Sequence, residues 1–212
     1  MLRRGYYPSA SSIKSALHVL NSFSFLLAKP IQDVDVVFAI SATASDAQQT
    51  FSVMREVIKS IFEKHGVDSI RPAIIVFGDE AYVRLNFDED VTDLNVLKQR
   101  IDNLPRNRGT PDLVKALSLA KTVFAGVRPN ARKVLVIISD NRSDSKSWKI
   151  RSNARELEEE EIEVIPVGIG DEVDLPQLKD TTPRKANLIP ASKDDDVDDL
   201  GDKILDIMLK SK

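Results

Sequence analysis

The stretch Val34-Asp35-Val36-Val37-Phe38-Ala39-Ile40-Ser41-Ala42-Thr43-Ala44-Ser45 decides the fold. Its first half is a continuous apolar run, the pattern of a strand covered on both faces in a parallel sheet. Its second half is small and rich in hydroxyls, so the strand gives way to a loop at its carboxyl end. Open α/β sheets bind their ligands beyond that end. Val134-Leu135-Val136-Ile137-Ile138 reads as another buried strand and runs into Ser139-Asp140. Residues 71–77 and 162–169 complete the set of apolar runs.

Working outward, helical spacing fills the gaps. Residues 46–65 carry Phe51, Met54, Val57, Ile58, Ile61 and Phe62 on one face, with Gly66 as terminator. Residues 92–104 carry Leu94, Leu97 and Ile101. Residues 111–124 are predicted helical, with Thr110 as cap and Pro111 in the first turn. Further helices are predicted over 145–161 and 197–209, a single turn over 175–179, and a short last strand over 186–189. Gly78-Asp79-Glu80 turns the chain into an alternating segment, 81–87, as in a hairpin. The expected fold is therefore α/β and doubly wound: a mostly parallel central sheet with one antiparallel edge strand and helices on both faces.

The domain is expected over 33–212, preceded by an extension over 1–32. Ile13, Ala16, Leu17, Leu20, Phe23 and Leu27 follow helical spacing, with Ser11 or Ser12 as cap and Pro30 as stop. This predicts an amphipathic helix over 13–27 that packs on a neighbouring domain or a second copy of the chain. A poor signal peptide is the competing reading of the same residues.

The 212 residues are 42% hydrophobic and 30% charged, enough for one full core. A formal charge of −3 gives no case for nucleic acid. The absence of Cys removes disulfides, thiolate metal sites and cysteine nucleophiles. No apolar run reaches the ~18 residues of a spanning helix. Gly168-Ile169-Gly170 lacks the third glycine of a dinucleotide fingerprint, and no phosphate loop or nucleophile elbow is present. The acids 194–199 lack the spacing of a calcium loop and suit the start of a helix. Nothing combines a nucleophile, a base and an orienting group, so an enzyme is not expected.

The segments ending in Ser45, Thr110 and Asp140 together resemble the von Willebrand factor type A domain. The resemblance runs from Asp33 to Lys210 and leans toward collagen-associated and matrilin-like matrix domains. It implies a metal-ion-dependent adhesion site in which an Asp-x-Ser-x-Ser triplet, a Thr and an Asp hold a divalent cation. Here Ser41 stands where the first Asp belongs and Thr43 where the first Ser belongs, while Ser45, Thr110 and Asp140 match. The site is thus degenerate. A hard dication (Mg, Mn or Ca) favours anionic oxygen ligands. One lost carboxylate at ~4 Å removes roughly 1–4 kcal/mol, or about tenfold to a thousandfold in affinity.

Arg106, Arg108, Arg142 and Lys146, with Lys149 and Arg151, are candidate ligand contacts as a basic rim; scattered solvated charge is the plain alternative. Arg108 or Arg142 is expected to pair with Asp140 in place of the cation. The plain reading of the hydroxyls is that they cap a helix and satisfy loop backbone. Trp148 is expected to pack, and Glu156–Glu163 to form a solvated face.

The resemblance implies a secreted, non-enzymatic adhesion module of the extracellular matrix. It would bind collagen, another matrix protein or a sulfated glycan, with weak or no metal dependence. Two alternatives stand beside it: an assembly repeat with a relic site, and an intracellular scaffold subunit.

Overall fold

The computed structural model describes residues 33–42, 48–89, 91–106, 109–184 and 187–210. The expected helix over 13–27 and the whole extension 1–32 lie outside them. Strands β1 (Val34–Ser41), β2 (Ile70–Phe77), β3 (Ala81–Leu85), β4 (Arg132–Ser139), β5 (Ile162–Ile169) and β6 (Ile189–Ala191) form one sheet in the order β3-β2-β1-β4-β5-β6. All neighbouring pairs are parallel except β2 with β3. The expected doubly wound sheet with one antiparallel edge is what the chain adopts.

The central strand shows why its sequence does not alternate. Val36, Phe38 and Ile40 point to one layer, against Phe51, Met54, Val57, Ile58, Ile61 and Phe62 of α1 (Gln48–His65), Leu97 and Ile101 of α2 (Leu94–Asp102), and Leu200, Ile204 and Met208 of α6 (Val197–Leu209). Val37 and Ala39 point to the other, against Leu113, Leu117 and Ala120 of α3 (Leu113–Val123), Ile150 and Leu157 of α4 (Ser147–Glu159), and Leu178 of α5 (Leu175–Lys179). Both faces are covered, so both parities must be apolar. Phe38 and Phe62 meet edge to face at 5.9 Å. Gly66 ends α1 in the left-handed region (φ 71°), giving its N–H to the Phe62 carbonyl at 2.7 Å.

Asp35 interrupts the apolar run at the amino end of β1, and the structure explains how it is tolerated. It is fully buried, and both carboxylate oxygens are taken. Arg71 donates to it at 2.6 and 3.2 Å, and Arg128 donates through Nε at 2.7 Å and its backbone N–H at 2.6 Å. At the same end of the sheet Glu163 does not belong to the solvated face expected of it. Its nearly buried carboxylate accepts from Arg132 at 2.7 Å, and from Arg184 and Asn187 at 3.1 Å each. Burial alone would raise its pKa; Asn187, Arg132 and Arg184 outweigh that and hold it below the ordinary range.

Several boundaries move. The last strand forms over Ile189–Ala191 rather than 186–189, with Pro190 tolerated because β6 is an edge. β3 stops at Leu85, where a register shift opposite Ile74 and Ile75 leaves Arg84 as a bulge. Trp148 does not pack in the core: it is 61% exposed on the first turn of α4.

Candidate functional site

β1 pairs with β2 on one side and β4 on the other, so the strand order reverses there. A crevice opens at such a switch point beyond the carboxyl ends of the strands. Ser41, the last residue of β1, and Asp140, just past β4, stand at this point. The buried Ser41 Oγ donates a hydrogen bond to Asp140 Oδ1 at 2.8 Å. Burial pushes the Asp140 carboxyl above its ordinary range. The Ser41 hydroxyl, its own backbone N–H and the Arg106 charge pull the other way without cancelling that effect.

The third expected segment reaches the same edge. Gly109 sits at φ 84°, and a Cβ there would lie 2.7 Å from Asp79 Cβ, so only glycine fits against the β2–β3 turn. The Asp112 N–H donates to the Gly78 carbonyl at 2.8 Å, and the Asp144 N–H to the Pro111 carbonyl at 3.2 Å. Thr110 is exposed on the segment so held, and no hydrogen bond joins it to Ser41 or Asp140 among the described residues. Thr43 and Ser45, two of the expected hydroxyl ligands, and Arg108, one of the expected partners of Asp140, lie outside those residues.

Two expectations are corrected by this geometry. Thr110 does not cap α3. Asp112 does, accepting from the Lys115 N–H at 3.1 Å, because an anionic acceptor serves a helix N-terminus better than a hydroxyl two residues further out. Arg142 does not pair with Asp140. Its exposed side chain turns toward Asp174 at 3.9 Å, and no ion pair to Asp140 occurs among the described residues. Of the candidate rim residues, Arg151 donates to both oxygens of Asp180 at 3.0 and 3.1 Å. Lys146 occupies the N-cap position before α4 and makes no side-chain cap hydrogen bond.

A polar lattice beside the site was not foreseen. Gln177 accepts from the Ser143 N–H at 2.8 Å and donates to the Ser143 and Ser145 carbonyls at 2.9 and 2.7 Å. Ser143 Oγ accepts from the Leu113 N–H at 3.1 Å, and Ser145 Oγ donates to Asp112 at 2.6 Å. The loop after β4 is thereby fastened to the start of α3 and to α5. The serines were visible as a polar run, but their partners come from three separate segments.

In donor chemistry, the Ser41–Asp140 contact offers one carboxylate, already bonded to a hydroxyl and made less acidic by burial, while Asp112 at the same edge is taken up in capping α3 and accepting from Ser145. No group of three or more His, Cys, Asp or Glu side chains is arranged to hold a metal among the described residues.

A doubly wound sheet in which Ser41 and Asp140 meet at the switch point defines an open-sheet α/β domain. The chain belongs to the von Willebrand factor type A domain family, whose profile matches residues 35–203. It is 26% identical over 148 residues to the collagen alpha-6(VI) chain of Mus musculus, and 26% identical over 145 residues to integrin alpha-X of Mus musculus. Each match covers 66% of this chain, which spans only 6% and 12% of those proteins. Among solved structures it resembles proximal thread matrix protein 1 of the mussel byssus with a zinc-occupied MIDAS motif (TM-score 0.73, 18% identity, 84% of this chain and 46% of that one). It also resembles the manganese-loaded Plasmodium vivax TRAP protein (TM-score 0.69, 13% identity, 85% and 75%). At these identities the structural likeness speaks to the fold. No helix among the described residues is long and apolar enough to cross a membrane.

Proposed function

We propose that this chain is a non-enzymatic adhesion module of the extracellular matrix whose carboxyl edge binds collagen, another matrix protein or a sulfated glycan with weak or no metal dependence. The observation that carries this reading is the Ser41–Asp140 hydrogen bond at the switch point. A hydroxyl occupies the place of a carboxylate and donates a hydrogen bond to the carboxylate that remains of the expected pair. A dication arriving there would have to break that bond and would meet one negative charge in place of two. Family membership and the collagen and integrin relatives support the adhesive role. Arg106, Arg108, Arg142 and Lys146 are the proposed contacts for an acidic or sulfated ligand, around Ser41, Thr43, Ser45, Thr110 and Asp140.

The test is calorimetric titration of the chelator-stripped protein with Mg, Mn and Ca, repeated on Asp140→Ala, alongside binding to immobilised collagens and heparin in chelator. The expected result is no sub-millimolar metal site and collagen or heparin binding that survives the chelator and weakens in Arg142→Ala. Tight metal binding abolished in Asp140→Ala would overturn it.

The same hydrogen bond favours a second reading, in which the site is a relic and the domain an assembly repeat. The extension 1–32 would then join subunits through the helix that its sequence predicts over 13–27. A chain that binds neither collagen nor heparin, but dissociates when residues 1–32 are removed, would select this reading.

A further inference from the structure

Four large apolar side chains are exposed among the described residues, and three of them are Tyr82 (47%), Val83 (37%) and Val96 (44%). Tyr82 and Val83 lie on β3, the terminal strand of the sheet. Val96 lies on the outer side of α2 and, with Gln99, Arg100 and Arg84, lines a cavity of about 360 Å³ between that helix and the edge. The bulge in β3 leaves Arg84 without a partner residue in the β2 register, as bulges do when they re-aim a side chain. Its guanidinium lies 5.0 Å from the Tyr82 ring centroid, its Nε is buried with no hydrogen-bond partner, and no ion pair forms to it among the described residues. Arg100, on the same cavity, is paired with Glu89 at 2.6 Å.

These observations converge on one corner. A terminal strand carries backbone N–H and C=O groups unpaired along its outer side, a template for another strand. Exposed apolar residues beside it give a partner something to bury, and an arginine with no anion on it among the described residues gives it something to neutralise. We propose that the β3 edge and the outer side of α2 form a docking surface for an extended acidic polypeptide segment. The segment adds to the sheet beside β3, lays alternate apolar side chains on Tyr82 and Val96 on the α2 face and on Val83 on the other face, and places an Asp or Glu carboxylate on Arg84. A second copy of this chain fits less well. Residues Ala81–Leu85 carry no carboxylate, so pairing β3 with a second β3 would bring another Arg84 and no anion from the strand to meet it. The surface is distinct from the carboxyl edge, and the proposal does not rest on the function assigned to that edge.

The test pans a display library of short random peptides against the immobilised full chain, and then measures the enriched peptide, synthesised and fluorescently labelled, by anisotropy. The expected peptides alternate Val, Ile or Thr with Asp or Glu. Their binding falls by about tenfold or more in Arg84→Glu, as loss of a charge-assisted hydrogen bond implies. It falls also in Tyr82→Ala and stays unchanged in Lys203→Ala on α6. Amide exchange over Ala81–Leu85 slows when the peptide is bound. Arg84→Gln, which keeps the side-chain stem, guards against misfolding of the reversed-charge variant, and both are checked by thermal unfolding. No enrichment, or peptides that bind Arg84→Glu as tightly as the parent, would mean that the bulge and the arginine guard the edge against pairing. A dimer in sedimentation that Arg84→Glu or Val83→Lys dissolves would assign the edge to a second copy and overturn the proposal equally.

Discussion

Two aspartates stand at opposite ends of the sheet, and the protein treats them in opposite ways. At the amino end Asp35 is fully buried and answered by two arginines and a backbone N–H. At the carboxyl end Asp140 is partly buried, and the Ser41 hydroxyl, its own backbone N–H and the Arg106 charge do not cancel the cost of that burial. A buried carboxylate with every lone pair used is structural, because removing it strands the arginines. A carboxylate desolvated and left with little compensation is the kind of group found where something else is meant to bind. The difference separates a carboxylate whose partners fasten the amino end of the sheet from one whose burial is only partly compensated at the carboxyl end.

The sharpest way to break this contrast is Asp35→Ala. It leaves Arg71 and Arg128 facing a buried void, and is expected to cost about 3–5 kcal/mol, toward the lower figure because both arginines are partly solvated. Chemical denaturation measures it; a loss no larger than that of Asp140→Ala would erase the distinction.

Next in size is Ser41→Asp, which restores a second carboxylate at the switch point. Without metal it sets two like charges in a desolvated crevice and should lower stability by roughly 1–4 kcal/mol. Added Mg or Mn should reverse the loss and raise the melting temperature. If the variant neither destabilises nor gains metal affinity, the hydroxyl at Ser41 is not what disables the site.

Glu163→Gln should cost about 1–2 kcal/mol at neutral pH, since charge-assisted bonds from Arg132 and Arg184 are weakened. The sign with pH follows from its lowered pKa. Its stabilisation is complete above the ordinary carboxylate range and is lost as pH falls through the lowered folded value, so the variant's deficit should shrink in acid.

Smallest is Asp140→Asn, which keeps an acceptor for Ser41 and removes a poorly solvated charge. The folded-state pKa of Asp140 is raised, so the wild type sheds its penalty as pH falls through that value. The variant should match or exceed wild-type stability by up to about 1 kcal/mol at neutral pH, and that advantage should vanish in acid. Melting curves of the two variants across pH therefore move in opposite directions relative to wild type.

How far the sequence carried depended on whether a feature is local. The buried strands were legible because a strand covered on both faces must be apolar at every position, and β5, α5 and α6 fall where their patterns placed them. The convergence of Ser41 and Asp140 on one edge was legible because strand polarity alone sends both there. Partners were not legible. Asp35 hides inside an apolar run, and its arginines come from β2 and from the loop before β4. Glu163 looked like part of an acidic surface until Arg132, Arg184 and Asn187 closed on it. Arg142 follows Asp140 by two residues and yet turns to Asp174, because neighbours in sequence past a strand end need not face the same way. Thr110 lost the cap of α3 to Asp112, a stronger acceptor nearer the helix. The bulge at Arg84 has no sequence signature, since it is defined by the register of the opposite strand.

The hydrogen bond that closes the carboxyl edge joins residues 99 positions apart, and this has a consequence in time. β1 is the middle of the sheet, but its β4 partner lies far down the chain. On a growing polypeptide, a strand that ends wrapped on both faces must wait, apolar and unzipped on that side, while roughly a hundred residues are made. Contacts of such long separation slow folding and leave sticky intermediates exposed. Refolding of this domain should therefore be slow for its size and sensitive to protein concentration, with the site at the end of β1 among the last parts to assemble.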